Sequence, residues 1–215
     1  MPAKLTPIRL IVGLGNPGDE YRHTRHNVGF DFIDRLAAAR GVRLTQQARF
    51  FGETGRIGTP AGDVWLLKPS TYMNLSGQAV QPLAAYYKLT PEEILVVHDE
   101  LDLVPGTMRL KFGGGAAGHN GLKDITQRLG TSDFWRLRVG IGHPRSLCPG
   151  MAVVDWVLGR PSAEQSDGIG LCLEGALKAI DNLCQGKFDN AERTLGKFAH
   201  PPKPAKETPA EADAS

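Results

Sequence analysis

A single α/β domain, a twisted mixed β-sheet flanked by helices, is the fold class this sequence predicts. Three observations carry that reading. Strand-like apolar runs alternate along the chain with stretches of helical periodicity. One run, Ile94–His98 (ILVVH), is almost entirely apolar, as a strand covered on both faces must be. Two others, Met108–Phe112 (MRLKF) and Trp135–Ile141 (WRLRVGI), alternate, so one side of each should meet water or a polar ligand.

In chain order, the first strand is Ile8–Leu14. A helix follows over Val28–Arg40, with Phe32, Ile33, Leu36 and Ala37 on one face and Gly41 placed for its C-terminal cap. Arg49–Ile57 reads as a weak, glycine-rich strand and Val64–Lys68 as a firmer one. Ser76–Tyr87 repeats the helical spacing through Ala79, Val80, Leu83 and Tyr87. After the strands at 94–98 and 108–112, a short helix is expected over Leu122–Leu129, closed by Gly130, and then the strand at 135–141. A long helix covers Ser162–Gln185, with breaks expected at Gly168, Gly170 and Gly175. The last helix covers Asp189–Phe198, with Asp189 as its N-cap. Residues 1–198 read as one domain without repeats or an internal linker. Residues 199–215, rich in Pro, Ala and Glu, read as a disordered tail.

A chain of 215 residues with 41% hydrophobic content can bury a substantial core. Its formal charge of +2 becomes +3 (23 basic, 20 acidic) once residues 199–215, with two Lys and three acids, are set aside. So small an excess identifies a polyanionic partner only through where the cations sit. The three cysteines, Cys148, Cys172 and Cys184, form no C-x-x-C pair, which fits reduced thiols better than a disulfide framework or a zinc site. No secretory leader pattern opens the sequence, and no apolar run reaches the ~18 residues of a membrane span. The expectation is a soluble, cytoplasmic protein without a membrane partner.

IVGLGNPG (11–18) holds Gly13, Gly15 and Gly18 at the G-x-G-x-x-G spacing of a dinucleotide-binding turn. The surroundings disagree with that match. The next residues, DEYRHTRHN, carry no apolar helical stripe, and Pro17 removes a backbone N–H from the turn that would cradle phosphate. Asp31 and Asp34, near the distance of the ribose-binding acid, fall inside the expected helix. Asn-Pro-Gly reads instead as a tight turn that presents Asn16 at the end of a strand. No cofactor is expected.

Four stretches dense in Asn, His, Asp and Gly each follow a strand: 15–29 (GNPGDEYRHTRHNVG), 68–77 (KPSTYMNLSG), 96–106 (VVHDELDLVPG) and 111–124 (KFGGGAAGHNGLKD). None contains a nucleophile elbow, a cysteine, an H-E-x-x-H zinc pattern or a Walker loop. What they do supply is histidine, aspartate and asparagine. A histidine polarised by an aspartate can deprotonate water, and asparagine amides can stabilise an oxyanion. The histidines on offer are His23, His26, His98 and His119. Among them His26 stands at the start of a helix, and Asp99 ends the buried strand, where a carboxylate needs a partner. Arg22, Arg25, Lys68, Lys111, Lys123, Arg128, Arg136 and Arg138 lie in or near these segments. Lys111 and Arg138, on the alternating strands, are the candidate phosphate contacts.

Together, IVGLGNPGDEYRHTRHNVGF, TYMNLSG, HDELDLVPG, GGGAAGHNGLKDI and WRLRVGIGHP resemble, in order over residues 8–144, the blocks of the bacterial peptidyl-tRNA hydrolase family. The resemblance implies cleavage of the ester that joins a peptide to the 3′ ribose of tRNA, by a monomer without metal. It implies that His26 is the general base, Asp99 its carboxylate partner, and Asn16 the residue that senses a blocked amino group. It also assigns contacts with tRNA or peptide to Tyr21, Tyr72, Met73, Asn74, His119 and Asn120. Two departures stand out. Ala117 replaces a glycine common in the family's loop, and residues 146–156 (SLCPGMAVVDW) are longer than usual, at what is expected to be a lid or rim.

Overall fold

The computed structural model describes residues 6–201. The chain forms β1 (Leu10–Gly13), α1 (Val28–Ala39), β2 (Thr45–Gln47), β3 (Gly52–Thr59), β4 (Gly62–Pro69) and α2 (Gly77–Tyr86). It continues through β5 (Ile94–Glu100), β6 (Met108–Phe112), α3 (Asn120–Leu129), β7 (Trp135–Gly140), α4 (Pro144–Leu147), α5 (Val153–Leu158), α6 (Ala163–Cys184) and α7 (Phe188–Lys197). The seven strands make one mixed sheet in the order β2-β3-β4-β1-β5-β7-β6. β4, β1, β5 and β7 are mutually parallel, while β3 and β6 run antiparallel to their inner neighbours. All parallel strands therefore end on one edge, where ligands bind in open α/β sheets.

Alternation along the central strands fills a core on each face. Ile11, Leu95 and Val97 point into a cluster built with α1, α5, α6 and α7, and Leu10, Val12, Ile94 and Val96 into one built with α2 and α3. Every residue of β5 is buried, as ILVVH requires.

The three glycines of the fingerprint spacing are accounted for without a nucleotide. A Cβ on Gly13 would run into the carbonyl oxygen of Gly29, where α1 lies directly on β1, and a Cβ on Gly15 would lie 2.6 Å from the Phe30 ring. Gly18 has φ +114°, which side chains rarely adopt.

Several expectations change. β7 is largely buried rather than half exposed, because it lies between β5 and β6 and, on its polar face, Arg136 bonds Gly114 and Gly115 while Arg138 bonds Glu100. α6 runs unbroken, and its glycines serve close packing instead: Gly175 receives the Phe198 side chain and Gly168 the backbone of Gly106. Asp189 sits in the first turn of α7 rather than at its N-cap, which is Lys187, so Asp189 contributes its charge to that helix end. Phe51, at φ +49°, ends a short turn and delays β3 to Gly52. β2, α4 and α5 carry too few residues for a periodic signal. In the expected tail, His200 N–H donates to Gly106 O at 2.6 Å; residues 202–215 lie outside the described residues.

Candidate active site

Three strand ends on one edge build a cleft of about 790 Å³. β1 leads into Asn16, β4 into Tyr72–Asn74, and β5 ends on His98, Asp99 and Glu100. The fourth loop arrives by another route. Because β6 is antiparallel, its loop leaves the opposite edge and must cross back. Arg136, only 2% exposed, holds that crossing by donating from Nη1 and Nη2 to the carbonyls of Gly115 and Gly114, each at 2.6 Å. The loop delivers His119 as the N-cap of α3, its Nδ1 accepting from Leu122 N–H at 3.4 Å. Within the loop Ala117 keeps φ +47°, a glycine-like backbone with an alanine in it.

Asp99 organises the site. It is buried, and His26 Nδ1 lies 2.9 and 3.0 Å from its two oxygens, while His119 Nε2 lies 3.0 Å from Oδ1. Burial alone would raise the carboxyl pKa, but the charges and hydrogen bonds of His26 and His119 outweigh it and hold Asp99 well below the usual range. An ionised carboxylate only accepts, so His26 Nδ1 and His119 Nε2 carry the protons. His26 thus presents an Nε2 lone pair to the cleft it lines. Burial works against a charged His26, yet the Asp99 charge and hydrogen bond prevail and raise its pKa above the ordinary value. His98 donates from Nδ1 to the Asp99 carbonyl at 2.7 Å. Burial, then His119, pushes its pKa down to about 3, so it stays neutral beneath the site.

Asn16 is locked in place. Its backbone N–H donates to Asn27 Oδ1 and its carbonyl accepts from Asn27 Nδ2, both at 2.9 Å. Its Oδ1 accepts from Met73 N–H at 2.7 Å, which fixes the amide orientation and leaves Nδ2 without a hydrogen bond to the described residues. Sequence reasoning missed Asn27; its only signal was its place next to His26.

Arg25, also adjacent to His26, is the clasp of α5. Its guanidinium lies 3.5 Å over the Trp156 ring, Nη1 donates to Trp156 O at 3.0 Å, and Nη2 donates to Gln165 Oε1 at 2.9 Å. α5 in turn lines the cleft with Val153, Val154, Val157 and Leu158, an apolar wall.

Asn16, His26, Tyr72, Met73, Asn74, Asp99, His119 and Asn120 all line this cleft, joined by His143, which sequence reasoning did not single out. Among the described residues, no Ser, Thr, Cys or Lys lines it. Tyr21 lies in a partly buried turn outside the lining. Lys111 is exposed on β6, and Arg138 on β7 donates to Glu100 Oε2 at 2.8 Å. The register Arg109↔Arg138 and Lys111↔Arg136 sets four cations on one face of this strand pair, and Arg109 is another residue that sequence reasoning missed. Other cations weighed as RNA contacts are engaged within the protein: Arg25 and Arg136 are buried, Lys68 pairs with Asp34 and Glu53, and Arg128 with Asp124.

His26, Asp99 and His119 also have the composition of a metal site, with one ligand atom each within 4.8 Å of one another. Both nitrogens already sit at hydrogen-bond distance from the carboxylate. A metal with ligands at ~2.1 Å would have to replace both protons and draw the rings inward.

Fold and cleft define an α/β protein with a histidine paired to a buried carboxylate at the C-terminal edge of the parallel strands of a mixed sheet. The model of the Peptidyl-tRNA hydrolase family matches residues 10–204, and the chain belongs to that family. A peptidyl-tRNA hydrolase of Neisseria gonorrhoeae is 53% identical over 190 residues, covering 87% of this chain and 96% of the relative. That of Thiobacillus denitrificans is 51% identical over 205 residues, covering 95% and 98%. Among solved structures, a peptidyl-tRNA hydrolase in complex with N-propanol superposes with a TM-score of 0.83 at 45% identity, covering 91% of this chain and 96% of that one. The Acinetobacter baumannii enzyme gives a TM-score of 0.81 at 46% identity, covering 87% and 94%.

Proposed function

We propose that this chain hydrolyses the ester between a peptide, or an N-blocked amino acid, and the 3′ ribose of tRNA, with His26 as general base. The observation that carries the reading is the short contact of His26 Nδ1 with ionised Asp99, backed by His119. His26 Nε2 takes a proton as water oxygen bonds to the ester carbonyl carbon. The imidazolium so formed is stabilised by Asp99, then returns the proton to the departing ribose 3′ oxygen. The C–O bond to the ribose breaks, giving a tRNA with a free 3′ hydroxyl and a peptide carboxylic acid, which releases water's second proton to solvent as it ionises. A positioned base supplies about 10²–10⁴ in rate and each oxyanion donor about 10²–10³ more. Asn74 and Asn120 are suited to the donor role. An activated ester needs no covalent nucleophile beyond this.

Asn16 Nδ2 is a fixed donor. It favours the carbonyl of a blocked amino group and disfavours a free α-ammonium, which offers no acceptor. Arg138 adjoins the cleft through Glu100, and Arg109 and Lys111 extend the same cationic face along β6, which supports phosphate contact. All these groups come from one chain, so a monomer suffices, and the substrate is one that translation generates in the cytoplasm. Activity is expected to persist after dialysis against a chelator.

The deciding assay is release of tRNA from N-acetyl-aminoacyl-tRNA. Turnover by the wild type, lost in a folded His26→Ala variant, supports the enzyme. Tight RNA binding without turnover would replace it with a non-catalytic RNA-binding role.

A further inference from the structure

A second cleft of about 400 Å³ lies on the other side of Asn16 and is not used by the chemistry above. The two clefts share Asn16 as a wall, and the end of β4 with the segment after it borders both, with Pro69 and Ser70 on the second and Tyr72 and Met73 on the first. The second is lined by Pro17 and Phe30 and by four carboxylates, Asp19, Asp31, Asp34 and Glu53, against the cations Lys68 and Arg22 and the imidazole of His23. Lys68 is already shared between Asp34 at 2.8 Å and Glu53 at 3.3 Å, and Arg22 lies 3.7 Å from Asp19. His23 Nδ1 lies 3.1 Å from Asp31, and the four carboxylates outnumber the two permanent cations, Lys68 and Arg22. Asn16 is 8% exposed, and its Nδ2, at the junction, has no hydrogen bond among the described residues.

We propose that this second cleft receives the upstream residues of the substrate's peptide, with a preference for cationic side chains. The inference rests on the hydrolase reading of the first cleft. A substrate with a polyanion at one end and a peptide at the other must be sorted by charge. The cationic face of β6 and β7 attracts phosphates, whereas the acid-lined cleft repels them. Only the peptide can therefore pass Asn16 in that direction. Asn16 is then the fixed sill that the peptide crosses as well as a sensor, donating from Nδ2 to a backbone carbonyl of the peptide as it leaves one cleft for the other. Phe30 and Pro17 supply the apolar floor for the stems of Lys or Arg, whose heads reach the carboxylates.

The test uses the full chain and tRNA esters of two tetrapeptides that differ only in Lys or Glu at the residue farthest from the ester, with N-acetyl-aminoacyl-tRNA as reference. The wild type should show a KM several-fold lower for the Lys substrate. Glu53→Lys should collapse or invert that Lys-to-Glu ratio, and Glu53→Gln should reduce it. Equal KM values for the two tetrapeptides, or a ratio that Glu53→Lys leaves in place, overturn the second subsite while leaving the hydrolase reading intact. Failure of the wild type on all three substrates overturns that reading and this inference with it.

Discussion

At Asp99 one carboxylate accepts from two imidazoles, and this fixes the sign of each proton equilibrium. His26 must be neutral to act as a base, and its pKa lies above the ordinary 6.5 because Asp99 overcomes burial. The pH profile of kcat/KM should therefore rise with a midpoint above 6.5 and then level off. Asp99→Asn removes the charge and leaves the burial, so the midpoint should move to lower pH while kcat falls by about 10²–10⁴. A midpoint that stays put in that variant would show that Asp99 does not set the basicity of His26. Ala117 gives a prediction of a different kind. Its left-handed backbone costs an L side chain about 1 kcal/mol, offset in part by the chain entropy that glycine brings to the unfolded state. Ala117→Gly should leave stability unchanged or raise it by up to about 1 kcal/mol in urea titration, whereas Ala117→Val should lower it.

At the scale of elements, α5 is too short to hold itself in place, with only six residues between Val153 and Leu158. Arg25 holds it by stacking on Trp156 and hydrogen-bonding across to α6. Lysine cannot reproduce the planar, two-armed contact. Arg25→Lys should lower stability by about 1–3 kcal/mol and speed hydrogen exchange in α5 more than in β5. Because His26 is the next residue, the same variant should also raise KM for peptidyl-tRNA. Exchange that accelerates equally everywhere would mean that Arg25 supports the whole fold rather than this helix. The strand pair β6–β7 makes the complementary prediction. Its facing cations should make kcat/KM fall as salt rises. Arg109→Gln with Lys111→Gln should flatten the log–log slope by about 1 for each phosphate no longer neutralised.

Over the whole molecule, activity and stability from the central pair respond to pH in opposite directions. A raised His26 pKa contributes stability in full below its unfolded value near 6.5, and that contribution is lost as pH rises through the folded value. A depressed Asp99 pKa contributes stability above about 3.8, lost as pH falls through its folded value. Their joint contribution is therefore greatest between those limits, below the pH at which the base is free to work. Denaturation measured at pH 5 and pH 8 should show a larger wild-type advantage over His26→Ala at pH 5.

The sequence by itself determined the alternation of strands and helices, the buried central strand, the Asn-Pro-Gly turn and the ordered motif blocks that identify the family. Those features are local: a period, a turn residue or a run of apolar side chains is legible wherever it occurs. Tertiary structure alone decided that His119 joins His26 on one carboxylate, that Arg136 braces the glycine loop rather than meeting solvent, and that the glycines of α6 serve packing. It also brought Arg25 onto Trp156, 131 positions away, and set a second cleft against Asn16. The physical reason is the same in each case. A side chain's pKa, burial and partners come from what the fold brings beside it, and no spacing along the chain encodes a neighbour contributed by a strand that runs the other way.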